Sequence, residues 1–218
     1  MKKLFSCLLI ILLFFSLSSV AAFGQSDSDD GFDIFDFFSI PQDSVDVYTD
    51  GENVSVMVNS YSDVDTDALE NDIINFTFDV MDNPDKGLSD LKEGIVSICS
   101  DYGLENVELN YNSTLGEDSL PLYSHTEGIS MLPTVQDGQC ILINKTHDIH
   151  VGDLVTANSS EYGPICKRVA DIDGDSVYLV SDNKKTYYEY HDDYVTEYKG
   201  ITTWVDISDI DGVIVKLF

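Results

Sequence analysis

Basic residues are scarce in this chain. Lys and Arg number 11 against 40 Asp and Glu, a formal charge of −29, and two of the lysines, Lys2 and Lys3, stand at the amino terminus. Phosphate binding needs a basic face, so nucleic acid is excluded as an expected partner. The charge reads instead as a solvated acidic surface suited to staying soluble outside the cell or in salt. Cysteine is equally sparse. Of four, Cys7 falls near the amino terminus, leaving Cys99, Cys140 and Cys166, an odd number without zinc or disulfide-framework spacing. These read as free thiols, with Cys140 and Cys166 on two strands of one region. The four histidines, His125, His147, His150 and His191, form no ligand cluster and read as surface residues. No cofactor and no metal are expected.

What is present begins with an export signal. Lys2 and Lys3 precede an apolar run over residues 4–15, which continues through small residues to Ala22-Phe23-Gly24, a small-x-small pattern before Gln25. Residues 1–24 therefore read as a signal peptide or a membrane anchor: a helix over 4–23 is long enough to span a bilayer, and the charge asymmetry places its start inside. Either way the remainder lies outside, membrane-anchored or, if the chain is cut after Gly24, secreted. Residues 25–43, rich in Ser and Asp and then in Phe, read as a spacer beside the membrane.

From Ser44 the pattern changes. Val45-Asp46-Val47-Tyr48, a turn at Asp50-Gly51, and Val54-Ser55-Val56-Met57-Val58 alternate as a β-hairpin. A helix capped by Asp65 or Thr66 follows, carrying Leu69, Ile73, Ile74 and Phe76 or Phe78 and stopping before Asn83-Pro84. A second helix is expected over 90–102, with Ser89 as N-cap and Gly103 as terminator. Residues 107–111 return as a strand. This ββααβ unit, 44–111, carries no cluster suited to chemistry and reads as an accessory or substrate-positioning domain.

Residues 112–120 read as a polar linker. Beyond them, short apolar runs at 140–143, 154–157, 165–170, 177–180 and 212–217 are separated by Gly, Asp and Asn turns, the spacing of a coiled β-barrel or sandwich over 120–218. The fold class expected is thus α+β and mostly β. Within this region, Gly128-Ile129-Ser130-Met131-Leu132-Pro133-Thr134 sets a serine at a turn, three positions before a proline. Ile165-Cys166-Lys167-Arg168-Val169 sets a lysine in an apolar strand, where alternation puts Lys167 on the side of Ile165 and Val169, away from Cys166 and Arg168. Burial disfavours the ammonium form, so a lysine there is fitted to act as base for a serine hydroxyl.

These two blocks, with the turns Asp137-Gly138, Gly152-Asp153 and Gly174-Asp175 between and after them, resemble the catalytic domain shared by type I signal peptidases and LexA-type self-cleaving proteins, which are Ser/Lys proteases. The likeness runs over about residues 127–183. It implies that Ser130 is the nucleophile and Lys167 the general base, and that the backbone N–H of Ser130 is one oxyanion donor. Gly128 occupies the place where bacterial signal peptidases often carry a second hydroxyl. Met131 accompanies the nucleophile. Leu179-Val180-Ser181-Asp182-Asn183 resembles the block lining the site in signal peptidases, making Asp182 and Asn183 supports of the site or a β-turn, and Thr186 the nearest hydroxyl to orient the amine. The function implied is a signal peptidase I-like serine endopeptidase that cuts exported or membrane proteins, as preproteins or peptides, on the outer side of the membrane. The alternative is a catalytically silent or self-cleaving LexA-like exported domain acting as a binding module. Against self-cleavage, the chain contains no Ala-Gly bond of the kind that group cuts.

Overall fold

The computed structural model describes residues 42–218. The hydrophobic helix expected over 4–23, and the spacer up to residue 41, lie outside the described residues. Strands β1 (Ser44–Thr49) and β2 (Val54–Asn59) pair antiparallel around the turn, where Asp50 Oδ1 accepts the Glu52 and Asn53 N–H groups at 2.9 and 2.7 Å. Helix α1 (Thr66–Asp82) is capped by Asp65, whose Oδ1 accepts from Ala68 N at 3.1 Å. Leu69, Ile73, Thr77, Val80 and Met81 recur at helical spacing on its buried face. Helix α2 (Leu88–Asp101) starts earlier than Ser89 suggests. Gly87 is its N-cap, and the Asp90 carboxylate reaches back to the Gly87 N–H at 2.8 Å, so Ser89 sits inside the first turn. Strand β3 (Glu108–Ser113) then returns parallel to β1, giving the order β2-β1-β3. Leu69, Ile73, Leu91 and Ile95 pack with Val45 and Val47 in one core cluster, each fully buried aliphatic side chain contributing about 1.5–3 kcal/mol.

The rest is β, as the spacing of apolar runs requires, so that strand predominates over helix in the described residues, 40% to 19%. Strands β4 (Pro121–His125), β5 (Cys140–Asn144), β6 (Leu154–Ser159), β7 (Gly163–Asp173), β8 (Ser176–Val180), β11 (Thr202–Asp206) and β12 (Ile210–Leu217) form one antiparallel sheet in the order β11-β8-β7-β6-β12-β5-β4. It curls into a half-barrel whose edges are β4 and β11. Strands β9 (Tyr187–Tyr190) and β10 (Val195–Tyr198) make a separate ribbon between β8 and β11. Gly212 lets β12 cross β5: a Cβ there would stand 2.2 Å from the Asn144 carbonyl oxygen, so no other residue fits without moving backbone. Val155, Ala157, Val169, Val177, Leu179 and Ile210 fill the curl. A smaller cluster of Ile141, Ile143 and Ile214, with Leu122 and Cys166 against it, lies under the loop that carries Ser130.

The described residues, 42–218, fall in one compact unit. Leu120, read from sequence as the end of a polar linker, is fully buried in the helical core, and its carbonyl accepts the Lys145 N–H at 2.9 Å. The Lys145 amine, almost fully buried, donates to the Val80 and Met81 carbonyls at 2.9 Å each and to that of Asn83 at 2.5 Å. The C-terminal carbonyls of α1, orphaned by helix geometry, are thus satisfied from β5. Among the described residues no helix is long and apolar enough to cross a membrane.

Candidate active site

Ser130 sits on an arch between β4 and β5. The sheet ladder continues past the strand ends to close its base: Thr126 N donates to the Gln139 carbonyl at 2.9 Å and Gly138 N to the Thr126 carbonyl at 2.8 Å. The Thr126 hydroxyl donates across to the Gln136 carbonyl at 3.0 Å. Within the arch, Gly128 adopts φ +90°, a left-handed conformation that favours glycine, and its N–H donates to Asp137 Oδ1 at 2.7 Å. That donor is therefore committed to the loop rather than free for a substrate oxygen. The Thr134 and Val135 N–H groups donate to the Met131 carbonyl at 2.9 and 3.0 Å, a helical turn just after the serine. The Met131 side chain, 4% exposed, anchors the turn in the interior.

Lys167 comes from the middle of β7. Its neighbours divide as strand alternation requires: Ile165 and Val169 pack with Val155 and Leu179, while Cys166 packs with Ile141 and Ile143. The side chain is 3% exposed, and its Nζ lies 2.9 Å from Ser130 Oγ and donates to the Cys166 carbonyl at 2.8 Å. Burial lowers the lysine pKa, a pull opposed only by the neighbouring Cys166 thiol. That thiol is itself pushed up to about 11, first by burial, so near neutrality it bears no charge to hold the ammonium. Among the described residues no carboxylate pairs with Lys167. A desolvated amine without a counter-ion, at hydrogen-bond distance from a serine hydroxyl, has the geometry and the electrostatics of a general base.

The residues read as supports divide into two groups. Asp182 and Asn183 hold the arch. Asp182 accepts from Thr134 Oγ1 at 2.5 Å and from Arg168 Nε and Nη2 at 2.8 and 2.5 Å, and the Arg168 bonds, ahead of the Thr134 bond, keep its pKa below the usual carboxylate range. Asn183, 6% exposed, donates its N–H to the Ser130 carbonyl at 2.9 Å and its Nδ2 to the Ile129 carbonyl at 2.8 Å. Neither residue is bonded to Lys167; Asn183 holds the backbone at Ser130, and Asp182 holds the Thr134 side chain of the same arch. Thr186 is not brought to the amine. It is exposed before β9, and the second acceptor of Lys167 is the Cys166 carbonyl. A backbone acceptor has no residue signature, so sequence reading missed it. The Thr134 hydroxyl and the Arg168 fork were missed as well, although Thr134 lies in the quoted motif and Arg168 directly follows the lysine.

Ser130 and Lys167 open onto a cavity of about 530 Å³ with an apolar floor of Leu122, Met131, Val135, Ile141 and Ile143. His125, read as a surface residue near the serine, is on its rim. Among the described residues no group of three or more His, Cys, Asp or Glu is placed to hold a metal. Residues 101–203 match the family model described as Peptidase S24-like. Over these residues the chain is similar to the LexA and signal-peptidase type of Ser-Lys peptidase. The match contains both halves of the peptidase site, the arch and β7, and ends within β11. Neither the curated proteins nor the solved structures yield a match to the chain.

Proposed function

We propose that this peptidase is a signal peptidase I-like serine endopeptidase that cleaves exported or membrane proteins on the outer side of the membrane, to which residues 1–24 attach or from which they release it. The observation carrying the catalytic part is the 2.9 Å separation of Lys167 Nζ and Ser130 Oγ, with the amine buried and paired with no acid among the described residues. The part concerning place and substrate is supported by the leader-like sequence ahead of the peptidase region. In the mechanism, neutral Lys167 takes the Ser130 proton as Oγ attacks the scissile carbonyl. The tetrahedral oxyanion is met by the Ser130 N–H, which makes no bond among the described residues. The leaving amine then takes the proton from Lys167, and the neutral Lys167 deprotonates a water that attacks the acyl-enzyme, returning that proton to Ser130 Oγ as the acyl group leaves as a carboxylic acid. Asp182 is taken up by Arg168 and Thr134 and so supplies no counter-charge to the amine. Incubating the full chain in detergent with an exported preprotein tests the proposal: a single internal cut is expected from the parent and none from Ser130→Ala. Equal cleavage by parent and variant, or none by either, overturns it, and a shortened form of the chain alone would mark self-cleavage.

A further inference from the structure

A second cavity of about 380 Å³ meets the first at Gly128, Ser130, Tyr162, Lys199 and Ile201, and its far wall is Asn183, Lys185, Tyr187 and Glu197. A peptide lying across Ser130 therefore touches two different surfaces. The first cavity is floored by aliphatic side chains, with the buried Lys167 on it; at its junction with the second stands Lys199, and the second adds Lys185, in a chain with only 11 Lys and Arg against 40 acids. Backbone contacts bring the segments of both lysines to this cavity. The Lys185 N–H donates to Asn183 Oδ1 at 3.1 Å, Ser181 and Ile201 exchange bonds at 3.0 Å, and Gly200 runs so close to Asn183 that a Cβ there would stand 2.5 Å from its carbonyl oxygen. Segments 181–185 and 199–201 thus form one wall, attached through Asn183 to the Ser130 arch. Glu197 is the acid on this wall, and it is engaged: Tyr188 Oη donates to its Oε1 at 3.1 Å and Lys199 Nζ lies 3.9 Å from its Oε2. The Lys185 amine has no acceptor among the described residues, and Lys184 spends its own on the Ser181 carbonyl at 2.6 Å.

We propose that this second cavity is a specificity subsite for acidic side chains flanking the scissile bond, with Lys185 and Lys199 as its determinants. The inference rests on the endopeptidase reading above and names its substrate class: segments in which the cleaved bond is followed or preceded within a few residues by Asp or Glu. The chain's own leader has this form, since Ala22-Phe23-Gly24 is succeeded by Gln25-Ser26-Asp27-Ser28-Asp29-Asp30. In a protein of charge −29, such a segment would be repelled by most of the surface, and a local pair of lysines beside the nucleophile offsets that over a screened distance.

The test uses the full chain and two synthetic peptides: residues 18–30 of this sequence, and the same peptide with Asn for Asp27, Asp29 and Asp30. With two exposed ion pairs at stake, the acidic peptide is expected to have a kcat/KM about tenfold above the neutral one at low salt. The ratio should fall toward one in the Lys185→Gln/Lys199→Gln variant, and likewise in about 1 M salt, where the screening length is about 3 Å. Both lysines are exposed, so the variant is expected to fold. A ratio of one or below in the parent, or one that survives the double substitution, overturns the subsite. If the parent cleaves neither peptide, peptide binding to Ser130→Ala, followed by fluorescence anisotropy, decides instead. Tighter binding of the acidic peptide that is lost with the two lysines upholds the subsite while the endopeptidase reading fails, and equal binding overturns the subsite.

Discussion

At the scale of single residues, the site separates into groups that do chemistry and groups that hold them. Asp182 belongs to the second kind: it joins Thr134 on the arch to Arg168 on β7 and makes no bond to the amine. Asp182→Asn is accordingly expected to lower kcat by roughly 10- to 100-fold through misplacement of Ser130 while leaving the apparent lysine pKa in the kcat-pH profile where it was. A displaced pKa with undiminished kcat would mean that Asp182 acts on the amine instead. The two perturbed groups also set separate pH windows for stability, one acidic and one alkaline. Asp182 is depressed in the folded state, so its contribution is present above the ordinary carboxylate value and is lost as pH falls through the lowered one. Lys167 is depressed as well, and there too the unfolded chain holds the extra proton, but in the alkaline range. Stability from that site therefore rises with pH between the lowered value and the ordinary lysine one, which a denaturation series across alkaline pH will read. Ser130 and Lys167 were legible in the sequence because a serine at a turn and a lysine in an apolar strand are unusual placements. Thr186 was misread because the path of the loop after Asn183, not its residue types, decides which acceptor reaches the amine.

At the scale of elements, regular segments with apolar periodicity were readable and exposed ones were not. The hairpin, the two helices and the strands β6 to β8 and β12 carry alternation or helical spacing that burial enforces, and β5 is a short continuous apolar run. Strand β4 begins with a proline at a sheet edge, where an imino residue costs no ladder bond, and sequence analysis assigned its residues to no strand. The ribbon β9-β10 is tyrosine-rich and fully exposed over β9, so no buried face imposes a pattern on it. The α2 start was misplaced because the side chain that closes its first turn is Asp90 reaching back, not Ser89 reaching forward. One contact between elements is open to measurement. Lys145 on the end of β5 satisfies three carbonyls at the end of α1, and donating to all three uses every N–H of an ammonium. Lys145→Met should keep the aliphatic stem while stranding those carbonyls, costing about 2–4 kcal/mol in urea unfolding. A loss below about 0.5 kcal/mol, the level of an ordinary surface substitution, would show that water replaces the amine without penalty.

At the scale of the whole molecule, an acidic, compact unit holding the described residues, 42–218, follows an apolar segment preceded by Lys2 and Lys3. The proposed orientation puts the entire unit outside. In sealed membrane vesicles whose cytoplasmic face is exposed, protease should leave the carboxyl terminus intact until detergent is added; digestion before detergent would reverse the topology. The central claim remains the pairing of Ser130 with a neutral Lys167, and acyl-enzyme formation reports on it without assuming a natural substrate. The decisive measurement is the rate at which an acylating serine reagent adds to the full chain, followed by intact mass and mapped by peptide sequencing across pH 6 to 10. The account predicts a single adduct on Ser130 whose rate climbs with pH through the depressed lysine pKa, together with a loss of roughly 100- to 10,000-fold in Lys167→Arg, because arginine stays protonated. An adduct elsewhere, or a Lys167→Arg protein acylated as fast as the parent, would contradict it.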